Sequence, residues 1–209
     1  MSPDPQTQFG TDNHQTCPHR SLSMGAPVRQ PAMTAADYLA WETTQPERHE
    51  FLDGEVWAMA GAEDRHVTLA GNIYMALRQH LHGSNCRTFM SDMKLHAESA
   101  NSYFYPDVFV TCSETDRASK LVKREPTLVV EVLSNGTAAY DRGAKFAHYR
   151  QMPTLQEIAL IDPDTRRADV YRRGPDGLWV LHPFDPGQGI TLASVDLRIA
   201  DDALYADID

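Results

Sequence analysis

Thr127-Leu-Val-Val-Glu131-Val-Leu133 is an apolar strand with one charge in it, and Tyr103-Phe-Tyr-Pro-Asp107-Val-Phe-Val110 is a second. Strand alternation puts Glu131 on the face of Val129 and Leu133, and Asp107 on the face of Tyr105 and Phe109. A carboxylate among β-branched and aromatic neighbours is costly unless it is paired or holds a metal. One such acid alone reads as a salt-bridged core residue. Two on successive strands, each near a strand end or beside a proline, point instead to a site.

A cation is expected nearby, and the following helix offers Arg142, Lys145 and Arg150. That helix is read over 137–151, entered from Asn135-Gly136. Two readings of Lys145 stand side by side. Its stem reaches back to the end of the Glu131 strand, or it pairs with Asp141, four residues earlier on the same helix surface.

Working outward, Thr34 with Asp37 three residues on forms a capping signal for a short helix through Tyr38, Leu39 and Trp41. Asp53-Gly54 between Arg48–Asp53 and Glu55–Ala60 predicts a hairpin, because a type I′ turn needs positive φ. Val67, Ala70, Ile73, Tyr74, Leu77 and Leu81 recur at helical spacing over 64–82. Short strands are expected at 86–90 and 93–97, longer ones at 103–111 and 127–133, with Ser113–Glu125 as a mixed-charge loop between them. Leu155–Ile161 reads as a strand ending at Asp162-Pro163, and 168–173, 178–184 and 190–197 as a closing meander with a turn at 174–177. The order is that of one mixed α/β domain.

The chain has 209 residues, 42% apolar and 23% charged, enough for a sizeable core. No run approaches the roughly 20 apolar residues of a membrane span. Residues 1–32 carry five prolines and no period, and read as a disordered leader. Met24 or Met33 is the expected native start, a point that intact mass would settle. Cys17, Cys86 and Cys112 are odd in number and never in a CxxC pair, which argues against a disulfide scaffold or a cysteine zinc site and for a reducing cytoplasm.

The formal net charge is −10, from 19 Lys+Arg against 29 Asp+Glu. That excludes a histone-like DNA coat, since phosphate binding needs cations. It leaves room for a nuclease, whose metal site itself requires carboxylates. Six acids against one base lie in 185–209, so 201–209 is expected as an acidic tail. Neither nucleotide-binding glycine motif occurs, Ser134 lacks a nucleophile elbow, and His80-Gln-His82 has no partners for zinc.

Pro106-Asp107-Val, then Leu128-Val-Val-Glu131-Val-Leu-Ser134, then Tyr140-Asp-Arg-Gly-Ala-Lys145 and Tyr149, resembles the Uma family of restriction-endonuclease-like proteins. That family is a bacterial branch of the PD-(D/E)XK nucleases. Glu50-Phe-Leu-Asp-Gly-Glu55 and His66 fit its N-terminal half, and Leu160-Ile-Asp-Pro163 fits the strand after the helix. The likeness covers roughly 33–184. It implies a restriction-endonuclease-like fold: a central mixed β-sheet flanked by helices, with an N-terminal hairpin and a C-terminal β meander, over 33–200.

The resemblance also implies a metal-dependent endonuclease acting on phosphodiester bonds in DNA, with homodimers common in the fold. Its alternative is a non-catalytic module of the same fold binding nucleic acid or protein. Asp107, Glu131 and the carbonyl near Val132 would hold Mg²⁺ or Mn²⁺. The usual lysine two residues after the acid is replaced by Leu133, so Lys145 takes its role. Glu50 is either an additional site acid or a solvated edge-strand glutamate, and His66 is a capping or packing histidine unless the site recruits it.

Overall fold

The Thr34 signal forms as a full capping box: Asp37 N–H donates to Thr34 Oγ1, and Thr34 N–H donates to Asp37. The computed structural model describes residues 32–59, 61–134 and 136–208, so the expected leader lies outside the described residues except for its last position. Helix α1 (Ala35–Glu42) leads into strands β1 (His49–Leu52) and β2 (Glu55–Ala58). Asp53 (φ 44°) and Gly54 (φ 103°) make the two-residue turn. That turn fixes the register, with Glu50 directly opposite Trp57.

Helix α2 (Asp64–His80) follows, then β3 (Arg87–Met90), β4 (Lys94–Ala97), β5 (Ser102–Phe104) and β6 (Val108–Thr111). The single strand expected over 103–111 is thus two strands in two sheets. Pro106 has no N–H to give a ladder, and the chain uses Tyr105–Asp107 to step from one sheet to the other. Asp107 therefore precedes β6 rather than lying within a strand.

The Ser113–Glu125 stretch is also more ordered than a loop. It contains α3 (Glu114–Ala118) and β7 (Val122–Lys123). Buried Asp116 accepts the N–H groups of Arg124 (2.7 Å) and Glu125 (2.9 Å), and Lys123 Nζ donates to the carbonyl of Asp116 (2.6 Å).

Strand β8 (Pro126–Val132) carries the diagnostic apolar run. Helices α4 (Ala138–Tyr140) and α5 (Phe146–Tyr149) flank a π-helical segment, Asp141–Lys145, with no break between them. This helical crossover returns the chain to β9 (Glu157–Asp162), which pairs parallel to β8. Strands β10 (Arg167–Arg173) and β11 (Trp179–Phe184) extend the sheet antiparallel. The strand expected over 190–197 is instead the hairpin β12 (Ile190–Leu192) and β13 (Leu197–Ile199). Helix α6 (Asp201–Leu204) closes the described chain.

Among the described residues, besides the β12-β13 hairpin, there are two larger sheets: six strands in the order β11-β10-β9-β8-β6-β3, mixed because of the β8/β9 pair, and five in the order β2-β1-β5-β4-β7. The six-stranded sheet is covered on both faces, which is why β8 reads as a nearly unbroken apolar run. Leu128, Val130 and Val132 pack with α2 and the C-terminal elements; Val129 and Leu133 pack with Tyr149 and Met152 beyond the crossover.

The 201–209 stretch, expected as an acidic tail, is part of that core. Leu204, Tyr205 and Ile208 are buried, and Asn72 Nδ2 donates to the carbonyls of Leu204 (3.1 Å) and Ala206 (2.9 Å). Their spacing sets apolar side chains on one side, while Asp202 and Asp207 are exposed. Cys86 and Cys112 form a disulfide, against the expectation of unpaired thiols. Arg87 pairs with Thr111, so the next residues outward face each other across the strands. The reducing-compartment argument from cysteine count loses its basis there. Among the described residues no helix is long and apolar enough to cross a membrane.

Candidate active site

The seam between the two sheets holds a cavity of about 770 Å³. Its charged side chains arrive from several elements, each for a local reason. Strand β1, second from the edge of the five-stranded sheet, supplies Glu50, and the step at Pro106 delivers Asp107. The end of β8 supplies Glu131, and the π-helical segment supplies Asp141 and Lys145. A π turn inserts an extra residue into a helix and is frequent where side chains must be re-aimed at a site.

Lys145 Nζ lies 3.0 Å from Glu50 Oε1, 3.2 Å from Glu131 Oε1 and 3.6 Å from Asp141 Oδ1. Both readings of Lys145 are therefore realised at once, in a buried setting: the side chain is only 9% exposed. Tyr149, one turn further along, donates its hydroxyl to Glu131 Oε1 at 2.6 Å. Glu50 is buried, not a solvated edge residue, and accepts from the Tyr105 N–H (3.2 Å) and the Tyr140 hydroxyl (3.4 Å). Behind it, buried Glu42 accepts the Tyr105 hydroxyl (2.9 Å) and the His49 N–H (3.1 Å), tying α1 to this corner.

Asp107 is held from both sides. Its Oδ2 accepts the Val132 N–H at 2.7 Å, and its Oδ1 lies 2.9 Å from His66 Nε2 at the start of α2. His66, whose default reading is capping or packing, thus touches the candidate site directly. Val132, expected through its carbonyl, contributes its N–H to Asp107.

Three carboxylates face one ammonium, and Asp107 lines the same cavity. Burial pushes the Glu131 carboxyl well above the ordinary range; Lys145 opposes that, while Asp107, Asp141 and Glu50 add to it. Burial raises Glu50 and Asp141 as well, again against Lys145. Burial alone would lower Lys145, but Glu131 and Glu50 hold it protonated well above the usual lysine value. Burial likewise pulls His66 down, and its bond to Asp107 outweighs that and raises it.

Such an excess of buried negative charge fits a divalent cation. Among the described residues no three His, Cys, Asp or Glu side chains form a cage for an ion by themselves. Mg²⁺ does not ask for one, since it keeps several waters and uses one or two carboxylates. Asp107 and Glu131, the two acids singled out in the sequence, both line the cavity. The bonds to Glu131 fall on Oε1, leaving Oε2 without a hydrogen bond among the described residues.

The sequence brought Asp107, Glu131, Lys145, Glu50 and Val132 forward, and the structure gathers all five around one cavity. It missed Asp141 as a site acid, Tyr140 and Trp57 as its wall, and Tyr149 as a hydroxyl donor. The signal for Tyr149 was present in its i, i+4 spacing from Lys145.

A family model described as "Uma2: Putative restriction endonuclease" matches residues 35–200. The chain belongs to the Uma2 family. An uncharacterized protein of Synechocystis sp., slr1290, is 37% identical over 175 residues, covering 84% of this chain and 92% of its own length. A second from the same organism, sll1609, is 39% identical over 152 residues, covering 71% and 85%. The crystal structure of a "putative nuclease belonging to DUF820" from Anabaena variabilis superposes with a TM-score of 0.68 at 18% identity. It covers 83% of this chain and 98% of that one. At that identity the likeness establishes the fold, which is the restriction-endonuclease-like architecture expected for the Uma2 family, and function must be argued from the site.

Proposed function

We propose that this Uma2 protein is a metal-dependent endonuclease that hydrolyses phosphodiester bonds in DNA. The observation that carries the reading is the convergence of Glu50, Glu131 and Asp141 on Lys145 beside a cavity that Asp107 also lines. A fold alone would not support it.

Asp107 and Glu131, with the carbonyl near Val132, would hold Mg²⁺ or Mn²⁺. A bound ion supplies neutralisation of charge at the scissile phosphate and an acidified water. The chain's own groups do the rest. His66 and the Val132 N–H fix the Asp107 carboxylate in orientation, and Tyr149 fixes that of Glu131. Lys145 presents a permanent positive charge, which stabilises negative charge building on the phosphoryl oxygens and orients the attacking water. Glu50 and Asp141 hold Lys145 in place, so its charge costs no reorganisation when the phosphate arrives.

The test is cleavage of supercoiled plasmid and of single-stranded DNA with Mg²⁺ or Mn²⁺, comparing the parent with Glu131→Ala and Lys145→Ala. The expected result is cleavage that requires the metal and falls by about 10²-fold or more in both variants. Loss in Glu131→Ala alone would remove Lys145 from the chemistry. A parent that neither cuts nor binds metal would favour a non-catalytic binding module of the same fold.

A further inference from the structure

The cavity lining is mixed: beside the carboxylates and Lys145 it includes Trp57, Ala58, Met59, Val67 and Met90. Val67, one of the lining residues, is 55% exposed. Trp57 reaches the cavity because the Asp53-Gly54 turn sets it opposite Glu50, on the same face of the hairpin. Its ring stacks on Tyr140 with centroids 6.2 Å apart and planes 29° from parallel. The indole Nε1 is buried and has no acceptor among the described residues.

The positive charge around this cavity is sparse. Among the described lining residues Arg65 is the one arginine and Lys145 the one lysine. Arg65 spends its terminal nitrogens on Asp164 (2.6 Å) and the Pro163 carbonyl (3.1 Å), and its inner Nε is buried without a partner. A duplex held by its phosphates needs a row of free cations. The lining offers instead an aromatic surface, the half-buried Trp57 ring beside Tyr140, which complements the flat face of a nucleobase.

Resting on the nuclease reading above, we propose that the site takes an unpaired nucleotide, whose base lies against Trp57 while its phosphate faces Asp107, Glu131 and Lys145. Trp57 is a positioning residue for substrate, and single-stranded or unpaired DNA is the preferred substrate class. Enzymes that act on a nucleotide outside the helical stack hold its base by stacking against aromatic and apolar side chains. Base–aromatic stacking of this kind is worth about 1–3 kcal/mol, roughly 5- to 150-fold in affinity.

The experiment measures fluorescence anisotropy of a labelled oligothymidylate and of a blunt duplex, with Glu131 intact and Ca²⁺, an oxygen-liganded cation of looser geometry, replacing Mg²⁺ so that cutting is suppressed. Trp57→Phe keeps a ring and Trp57→Leu keeps only apolar bulk, so both preserve the wall. The expected result is tighter binding of the single strand than of the duplex. Trp57→Phe retains most of that affinity, and Trp57→Leu loses roughly fivefold or more. Equal single-strand affinity in the Trp57→Leu variant, or a parent that prefers the duplex, would overturn the proposal while leaving the nuclease reading standing. A parent that binds neither probe would overturn both.

Discussion

Two buried glutamates sit on neighbouring parallel strands, Glu131 on β8 and Glu157 on β9, and they live in opposite circumstances. Glu157 is fully buried and fully served. It accepts from Arg172 Nε (2.8 Å), from the backbone N–H groups of Ala193 (3.1 Å) and Ser194 (2.9 Å), and from the Ser194 hydroxyl (2.8 Å). One guanidinium and three neutral donors answer one carboxylate, and the result ties β9 to the turn between β12 and β13. Glu131 has Tyr149 to itself but shares Lys145 with Glu50 and Asp141, and it borders a cavity. A lone buried charge therefore does not mark a site. What marks one is carboxylates outnumbering their donors beside space for a ligand.

The largest effect should come from removing the shared cation. Lys145→Met leaves three carboxylates buried without their common partner. Breaking a buried ion pair from one side costs about 3–5 kcal/mol. The remaining acids answer by taking up protons, which the folded state already favours. The loss should therefore be greatest near pH 8 and shrink toward about pH 5. Urea melts at the two pH values check this. A loss below about 1 kcal/mol at both would mean the cluster behaves as a surface network does.

The next effect separates the glutamates by sign. Glu157→Gln weakens charge-assisted bonds inside the fold and should destabilise by about 1.5–3 kcal/mol. Glu131→Gln removes one of the surplus charges and should leave stability unchanged or raise it. The sign follows from linkage. With its folded value raised above the ordinary glutamate range, Glu131 binds its proton more firmly in the folded state. The parent then loses stability as pH rises from the unfolded value toward the folded one. The gain from Gln should be absent near pH 4 and grow through that window. Two substitutions of the same sign and size would erase the distinction between the strands.

This contrast also explains what could be read from the chain. Leu155-Gln-Glu157-Ile-Ala-Leu-Ile161 is as apolar as the Glu131 run. The strand pattern alone would have nominated Glu157 equally; the ordered motifs around Glu131 and Lys145 made the difference. Elements governed by local rules were legible: the Thr34 capping box, the Asp53-Gly54 turn, and the periodicity of α2. The break at Pro106 was not, because two short strands joined by a proline read as one long strand until each finds its sheet. The π-helical segment was hidden as well, since Asp141 and Lys145 suit an ordinary helix. Partnership of distant groups decided the remainder: Asp116 capping Arg124 and Glu125, Leu204 and Ile208 in the core, and Cys86 opposite Cys112.

The smallest effect is also the sharpest test of whether surplus charge means a cation site. Ligand at ten times its dissociation constant stabilises a fold by about 1.4 kcal/mol. For a chain of this size that is a rise of about 3–6 °C in melting temperature. Mg²⁺ or Mn²⁺ should produce such a rise in the parent at neutral pH, with less at low pH, where protons already compensate the carboxylates. Asp107→Asn and Glu131→Gln should each abolish it, and Glu157→Gln should retain it in full from its lower starting temperature. A shift that survived loss of Asp107 or Glu131 would move the cation elsewhere on this acidic chain. The crowding around Lys145 would then be a feature of the fold, balanced internally as the bonds to Glu157 are.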